Sequence, residues 1–180
     1  MQKLLGLACA VVCCLAPLPG STLQQLSLDD MIQKSTMIVR GQTQVTSSAF
    51  RGSLIYTHYR VQIAEVLKGP AATEIDVAVP GGTSNGTTQS FSGAPRLVNG
   101  QEYVLFLWTS KSGLTQVIGL SQGLFAVVAN SAGQPTIVRG AATERMLNSF
   151  GQPVTQSDIQ MLLSLLRGEI QSVLKNRSGL

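Results

Sequence analysis

Gly119-Leu120-Ser121-Gln122-Gly123 matches the G-x-S-x-G pattern of a serine nucleophile. That chemistry needs a strand–turn–helix elbow, with an acid and then a histidine later in the chain. Here Leu124-Phe125-Ala126-Val127-Val128 follows, which reads as a strand, and the chain's single histidine, His58, comes before the motif. A hydrolase acting through Ser121 therefore has no base in the required order, and its two glycines suit a turn between strands. Without cysteine, a metal site needs several histidines or a cluster of carboxylates. His58 instead shares a strand face with Tyr56 and Arg60, the setting of a solvated histidine. Glu74 and Asp76 are two apart on a strand and share a face, with no partner constellation for acid–base work. Gly81-Gly82 with Gly86 lacks the lysine and following helix that a phosphate cradle requires. No catalytic, cofactor-binding or metal-ligating residue is assigned, and the expectation is a protein that is not an enzyme.

The elements that must position these residues are mostly strands. Ser53–Gly69 (SLIYTHYRVQIAEVLKG) alternates at period two. Ile55, Thr57, Tyr59, Val61, Ile63, Glu65 and Leu67 are expected on a core side, and Leu54, Tyr56, His58, Arg60, Gln62, Ala64 and Val66 on a wetter one. So long a strand is expected to bend around a barrel. Tyr56, His58 and Arg60 form a mixed aromatic and cationic patch on its wetter face. From Thr83 to Pro95 the chain runs TSNGTTQSFSGAP, with Phe91 as its large apolar residue. A loop of that length without structure of its own is often functional. Gly81, Gly82, Phe91, Gly93 and Pro95 are accordingly candidate contact residues.

Elsewhere, Ser27–Ser35 reads as a short helix capped by Ser27, with Asp29 and Asp30 in its first turn and Lys34 near its end. Met37–Val45 is the expected first strand, with a bulge or bend at Gly41, and Ser47–Gly52 a turn region. Glu74–Pro80 alternates with Ile75, Val77 and Val79 inward. Gln101–Thr109 is apolar on both faces, so it should be central or covered by a helix. Leu114–Ile118, Leu124–Ala129 and Thr136–Val138 are further strands, and Arg139–Pro153 lacks a period. Thr155-Gln156-Ser157-Asp158 resembles a helix start, and Ile159, Leu162, Leu163, Leu166 and Ile170 follow at helical spacing.

Residues 1–20 have the charged, apolar, small-residue order of a secretory signal peptide, and the three cysteines, Cys9, Cys13 and Cys14, all lie within it. Its removal leaves a cysteine-free chain that must rest on its hydrophobic core. The net charge of +4 is scattered without a basic run, unlike a nucleic-acid binder. No other segment approaches the length of a membrane span. Asn85-Gly86-Thr87 and Asn176-Arg177-Ser178 match the N-glycosylation sequon.

Three spaced segments carry a family likeness: Ser35-x-x-Ile38-Val39-x-Gly41, Tyr59-x-Val61-x-x-x-Glu65-Val66-Leu67-Lys68-Gly69, and Gly100-x-x-Tyr103-x-Leu105-Phe106-Leu107. Over roughly Leu26 to Val128 the chain resembles a group of uncharacterised bacterial secreted proteins that also carry Pro-Gly-Gly and Gly-Ala-Pro segments, here Pro80–Gly82 and Gly93–Pro95. More distantly it resembles the netrin-type and tissue-inhibitor-of-metalloproteinases module, an OB-like barrel. In those inhibitors an N-terminal cysteine chelates the protease zinc, which a cysteine-free chain does not reproduce. The resemblance implies the fold rather than that mechanism.

The expectation is therefore a mainly β fold: a small closed or partly open antiparallel OB-like barrel over 21–153, with a short N-terminal helix and a C-terminal helix over 154–180 packed on it. Its expected function is that of a secreted or periplasmic binding module, contacting a protein or glycan through Pro80–Pro95. It should take no cofactor, bind no nucleic acid and have no membrane span after leader removal. The alternative from another class is a protease inhibitor or protease companion.

Overall fold

The computed structural model describes residues 22–142 and 144–178. The leader and its cysteines lie outside the described residues. Among the described residues the fold is mainly β, with two α-helices.

Strand β1 (Thr22–Gln24) leads into helix α1 (Leu28–Lys34). A capping box fixes the helix start: Asp30 N donates to Ser27 Oγ at 3.0 Å, and Ser27 N donates to Asp30 Oδ2 at 3.3 Å. Lys34 pairs with Asp30 at 2.8 Å. The Lys34 contact, followed by the Ser27 bonds, holds the Asp30 carboxyl below its ordinary value. At the other end of α1, Lys68 Nζ donates to the carbonyls of Ile32, Gln33 and Ser35. There an ammonium satisfies acceptors that the helix leaves open.

Strands β2 (Met37–Arg51) and β3 (Leu54–Lys68) form one long antiparallel hairpin closed at Gly52-Ser53. β2 continues through Ser47–Arg51, which the sequence assigned to a turn. The pairings Ser47↔His58 to Arg51↔Leu54 supply backbone order that a polar sequence does not advertise. Three register shifts interrupt the ladder, leaving Thr46 unopposed on β2 and Ala64 and Leu67 unopposed on β3. The bulge at Ala64 corrects the expected alternation. Tyr59, Val61, Ile63 and Val66 pack with one core cluster, whereas Leu67 packs with the other, where Glu65 reaches Arg167. At Gly41, beside this bulge, a side chain would run into the Gln62 carbonyl and sit 3.0 Å from Val61 Cγ1.

Strand β4 (Glu74–Pro80) pairs with β3, with Ile75, Val77 and Val79 inward as expected. The supposed structureless loop contains a hairpin, β5 (Gly82–Ser84) and β6 (Thr87–Gln89). Its Asn85-Gly86 turn has positive φ at both residues, 49° and 76°, as a two-residue hairpin loop requires. Gln89 ties it to β3, accepting from Ile55 N at 2.7 Å and donating to Ser53 O at 2.9 Å.

Strand β7 (Glu102–Thr109) is flanked by β2 on one side and, on the other, by β8 (Thr115–Val117) and β9 (Leu124–Ala129). A 3-10 turn, Leu120–Gly123, joins β8 to β9. Next come β10 (Pro135–Arg139), β11 (Arg145–Leu147), β12 (Pro153–Val154), β13 (Ile159–Leu162) and α2 (Leu163–Ser178). The aperiodic Arg139–Pro153 segment thus holds a short hairpin arm, on which β1 pairs in parallel with β11. The expected helix over Ile159–Leu162 is instead a strand, paired antiparallel with Thr136–Arg139. Asp158, rather than capping a helix, accepts from Ala141 N at 2.8 Å. The open edge of β10 outweighs the helical spacing there.

The main sheet runs β13-β10-β9-β7-β2-β3-β4, with β8 also on β7, and does not close on itself. Its two faces carry separate cores. Under the helices, Ile38, Val104, Phe106, Phe125 and Ile137 pack with Met31 and Ile32 of α1 and with Leu163, Leu166, Ile170 and Val173 of α2. On the other face, Val39, Val61, Val77, Leu105, Leu107 and Val117 pack among themselves, bringing residues of β4 and β8 into one cluster.

Candidate functional site

Two clefts flank the segment from Pro80 to Arg96. The larger, of about 680 Å³, lies between Phe91–Arg96, the 3-10 turn, β9 and the chain after β10. Its volume falls in the range of about 300–1,000 Å³ typical of small-ligand sites. Its floor is organised by the buried Gln122. The side-chain amide of Gln122 accepts from Leu26 N at 2.8 Å and donates to Gln24 O at 2.9 Å, which fastens β1. Its backbone carbonyl takes the Nη1 hydrogen of Arg139, whose guanidinium lies 5.0 Å from the Phe125 ring centroid. This stacking is a cation–π contact.

The Ser121 motif is a turn, not a nucleophile elbow. Gly119 and Leu120 both have positive φ, 61° and 59°, and the 3-10 turn passes directly into β9. Ser121 N donates to Gly93 O at 3.1 Å, which joins the turn to the Pro80–Pro95 segment. Gly93 is required at this junction. Its φ is 78°, and an added Cβ would lie 3.1 Å from Leu23 Cδ1 and 3.2 Å from Leu120 Cδ1.

The smaller cleft, of about 360 Å³, is lined by Thr57 and Tyr59 of β3, Pro80–Gly82, Gln89, Phe91 and Pro95–Leu97. Thr57 Oγ1 donates to Gly81 O at 2.8 Å and shares a 2.9 Å hydrogen bond with Ser48 Oγ, so the Pro-Gly-Gly turn is locked onto the long hairpin. Burial, and secondarily the nearby Tyr103, push the Tyr59 phenol above its ordinary range.

Phe91, Ala94 and Arg96 line both clefts, so this short segment is their common wall. Of the residues singled out from sequence, Gly81, Gly82 and Pro95 line the smaller cleft, Gly93 lines the larger, and Phe91 lines both. Tyr56, His58 and Arg60 line neither. They alternate with Thr57 and Tyr59, and two of them are paired along β4: His58 Nδ1 with Asp76 Oδ2 at 2.7 Å and Arg60 Nε with Glu74 Oε1 at 3.1 Å. The candidate residues thus divide between two surfaces.

Sequence reasoning missed Arg96, Arg139 and Gln156, all in the larger cleft. Arg139 ends a strand and Gln156 sits in an apparent helix cap, so no local pattern set them apart. Among the described residues, no three or more His, Asp or Glu side chains are grouped to hold a metal ion. No helix among the described residues is long and apolar enough to cross a membrane. Comparison with protein families, with characterised proteins and with solved structures finds no match to this chain.

Proposed function

We propose that this protein is an exported, non-enzymatic binding module, built on a partly open OB-like barrel, that contacts its partner through the Pro80–Pro95 segment. The observation that carries the reading is the common wall: Phe91 and Ala94 of this segment, with Arg96 just beyond it, face two adjoining clefts. That segment is braced rather than loose, through Gln89 on β3, Thr57 on Gly81 and Ser121 on Gly93. A preformed concave surface loses less conformational entropy on binding than a floppy loop. The barrel reading draws support from the second core, in which β4, at one end of the strand order, packs on the same face of the sheet with β8, which pairs with β7. The leader-like residues 1–20 support export.

The test is affinity capture from the exported fraction with the intact protein and with a variant lacking Ser84–Ser92. Near-UV circular dichroism would check that the variant keeps its core. Loss of the captured partners supports the reading, and an unchanged set of partners overturns it.

A further inference from the structure

The larger cleft holds a half-buried cation, Arg139. Arg139 makes no ion pair among the described residues, and its Nε is shielded from solvent without an acceptor. Burial pushes the guanidinium pKa down, as expected for a charge held partly out of water. Gln156, which also lines the cleft, has a second shielded donor without an acceptor, Nε2. A shielded donor without an acceptor is costly, and an oxygen acceptor that reached either one would relieve that cost. Arg96 stands exposed at the shared wall, again without an ion pair among the described residues. Glu144 is the acidic residue of the lining, and Ser92 Oγ donates to it at 3.4 Å. Two arginines against one glutamate leave the lining net positive.

The rest of the wall is apolar: Phe91, Ala94, Leu124, Ala126 and Val138. A guanidinium fork matches the two oxygens of a carboxylate, and an apolar wall matches hydrocarbon beside it. We propose that the larger cleft binds a carboxylate attached to a compact apolar group. This rests on the binding-module reading and specifies its ligand. The carboxylate comes either from a free small acid or from the C-terminus of a protein chain ending in an apolar residue.

The test is isothermal titration of the purified protein with three probes: N-acetyl-leucine, its neutral amide, and a pentapeptide ending in leucine with a free carboxylate. At least one acid should bind, with the amide weaker by about tenfold or more, the effect of losing a charged hydrogen bond. Tighter binding of the peptide assigns the site to a protein C-terminus, whereas equal or weaker binding assigns it to a free acid. Arg139→Gln should weaken the acids by about tenfold and Arg139→Lys by less, because lysine keeps the charge but not the fork. Arg139 also supports Gln122 and Phe125, so Arg96→Glu provides a variant at an exposed position; it should weaken the acids several-fold. Failure of both acids to bind, or equal binding of acid and amide, overturns the proposal. If the acids fail while the Ser84–Ser92 deletion still abolishes partner capture, the carboxylate assignment falls and the binding module stands. If the acids bind while capture survives the deletion, the carboxylate site stands and the Pro80–Pro95 reading falls.

Discussion

Arg167 on α2 donates from Nε and Nη2 to the two carboxylate oxygens of Glu65 on β3, each at 2.7 Å. This two-pronged contact fastens the last helix to the long hairpin. Glu65 is also 3.9 Å from Arg40, which itself lies 2.9 Å from Glu102 on β7. The Arg167 bond is the main cause holding the Glu65 carboxyl below its ordinary 4.5, with burial opposing it. A depressed carboxyl stabilises the fold fully above its unfolded value, and that stabilisation is lost as pH falls through the folded value. Urea midpoints should therefore decline below about pH 4.5 more steeply in the parent than in Glu65→Gln. Both partners are partly exposed, so Arg167→Ala at neutral pH should cost only about 1 kcal/mol.

Deleting Ala64 should be tolerated, because its neighbours Ile63 and Glu65 already oppose the consecutive residues Gly41 and Arg40. Removing Ala64 leaves Ile63↔Gly41 and Glu65↔Arg40 as consecutive pairs of a regular ladder, so the residues beyond Ile63 keep their faces. The deletion should therefore keep the Glu65–Arg167 contact and the packing of Leu67, with only a modest fall in the urea midpoint. Ala64→Ser, at an exposed position, should change the urea midpoint little.

Gly82→Ala should destabilise by about 2–4 kcal/mol, combining backbone strain with overpacking. Its φ is +128°, and an added Cβ would run into Thr57 Oγ1 and lie 2.8 Å from Ser48 Oγ. Thermal unfolding would read the loss. Gly86→Ala, where an added Cβ meets nothing within 4 Å, should pay only the strain of its φ of 76°.

Ser27→Ala removes the acceptor for Asp30 N and should cost about 1 kcal/mol, while Ser27→Asp should recover most of it. Chemical denaturation of the two variants beside the parent measures both effects.

Much of this architecture was legible where one physical rule dominated. The cap at Ser27, the central position of the doubly apolar β7 and the inward face of β4 each follow from a local pattern. The long strand was legible in extent but not in facing, because a bulge is an extra residue that composition does not mark. Ser47–Arg51 looked like a turn because its side chains are polar, although its order comes from backbone pairing with β3. Ile159–Leu162 kept helical spacing with α2 but was claimed by the open edge of β10. The cleft was least visible, since Phe91, Ser121, Arg139 and Gln156 belong to segments that only the tertiary fold brings together. Tyr56, His58 and Arg60 drew notice as an unusual cluster, yet the clefts take Thr57 and Tyr59 from the alternate positions.

The two cores lie on opposite faces of one sheet, and β7 belongs to both: Val104 and Phe106 to one, Tyr103, Leu105 and Leu107 to the other. Neither core can loosen without disturbing that strand, so they should melt as a single cooperative unit. In native-state hydrogen exchange, the β7 amides should open only with the whole molecule. The β1–β11–β12 arm, paired in a separate sheet, should open at lower free energy. Because Gln122 links β1 to the floor of the larger cleft, opening of the arm would also unsettle that floor, and a bound ligand should slow exchange there first.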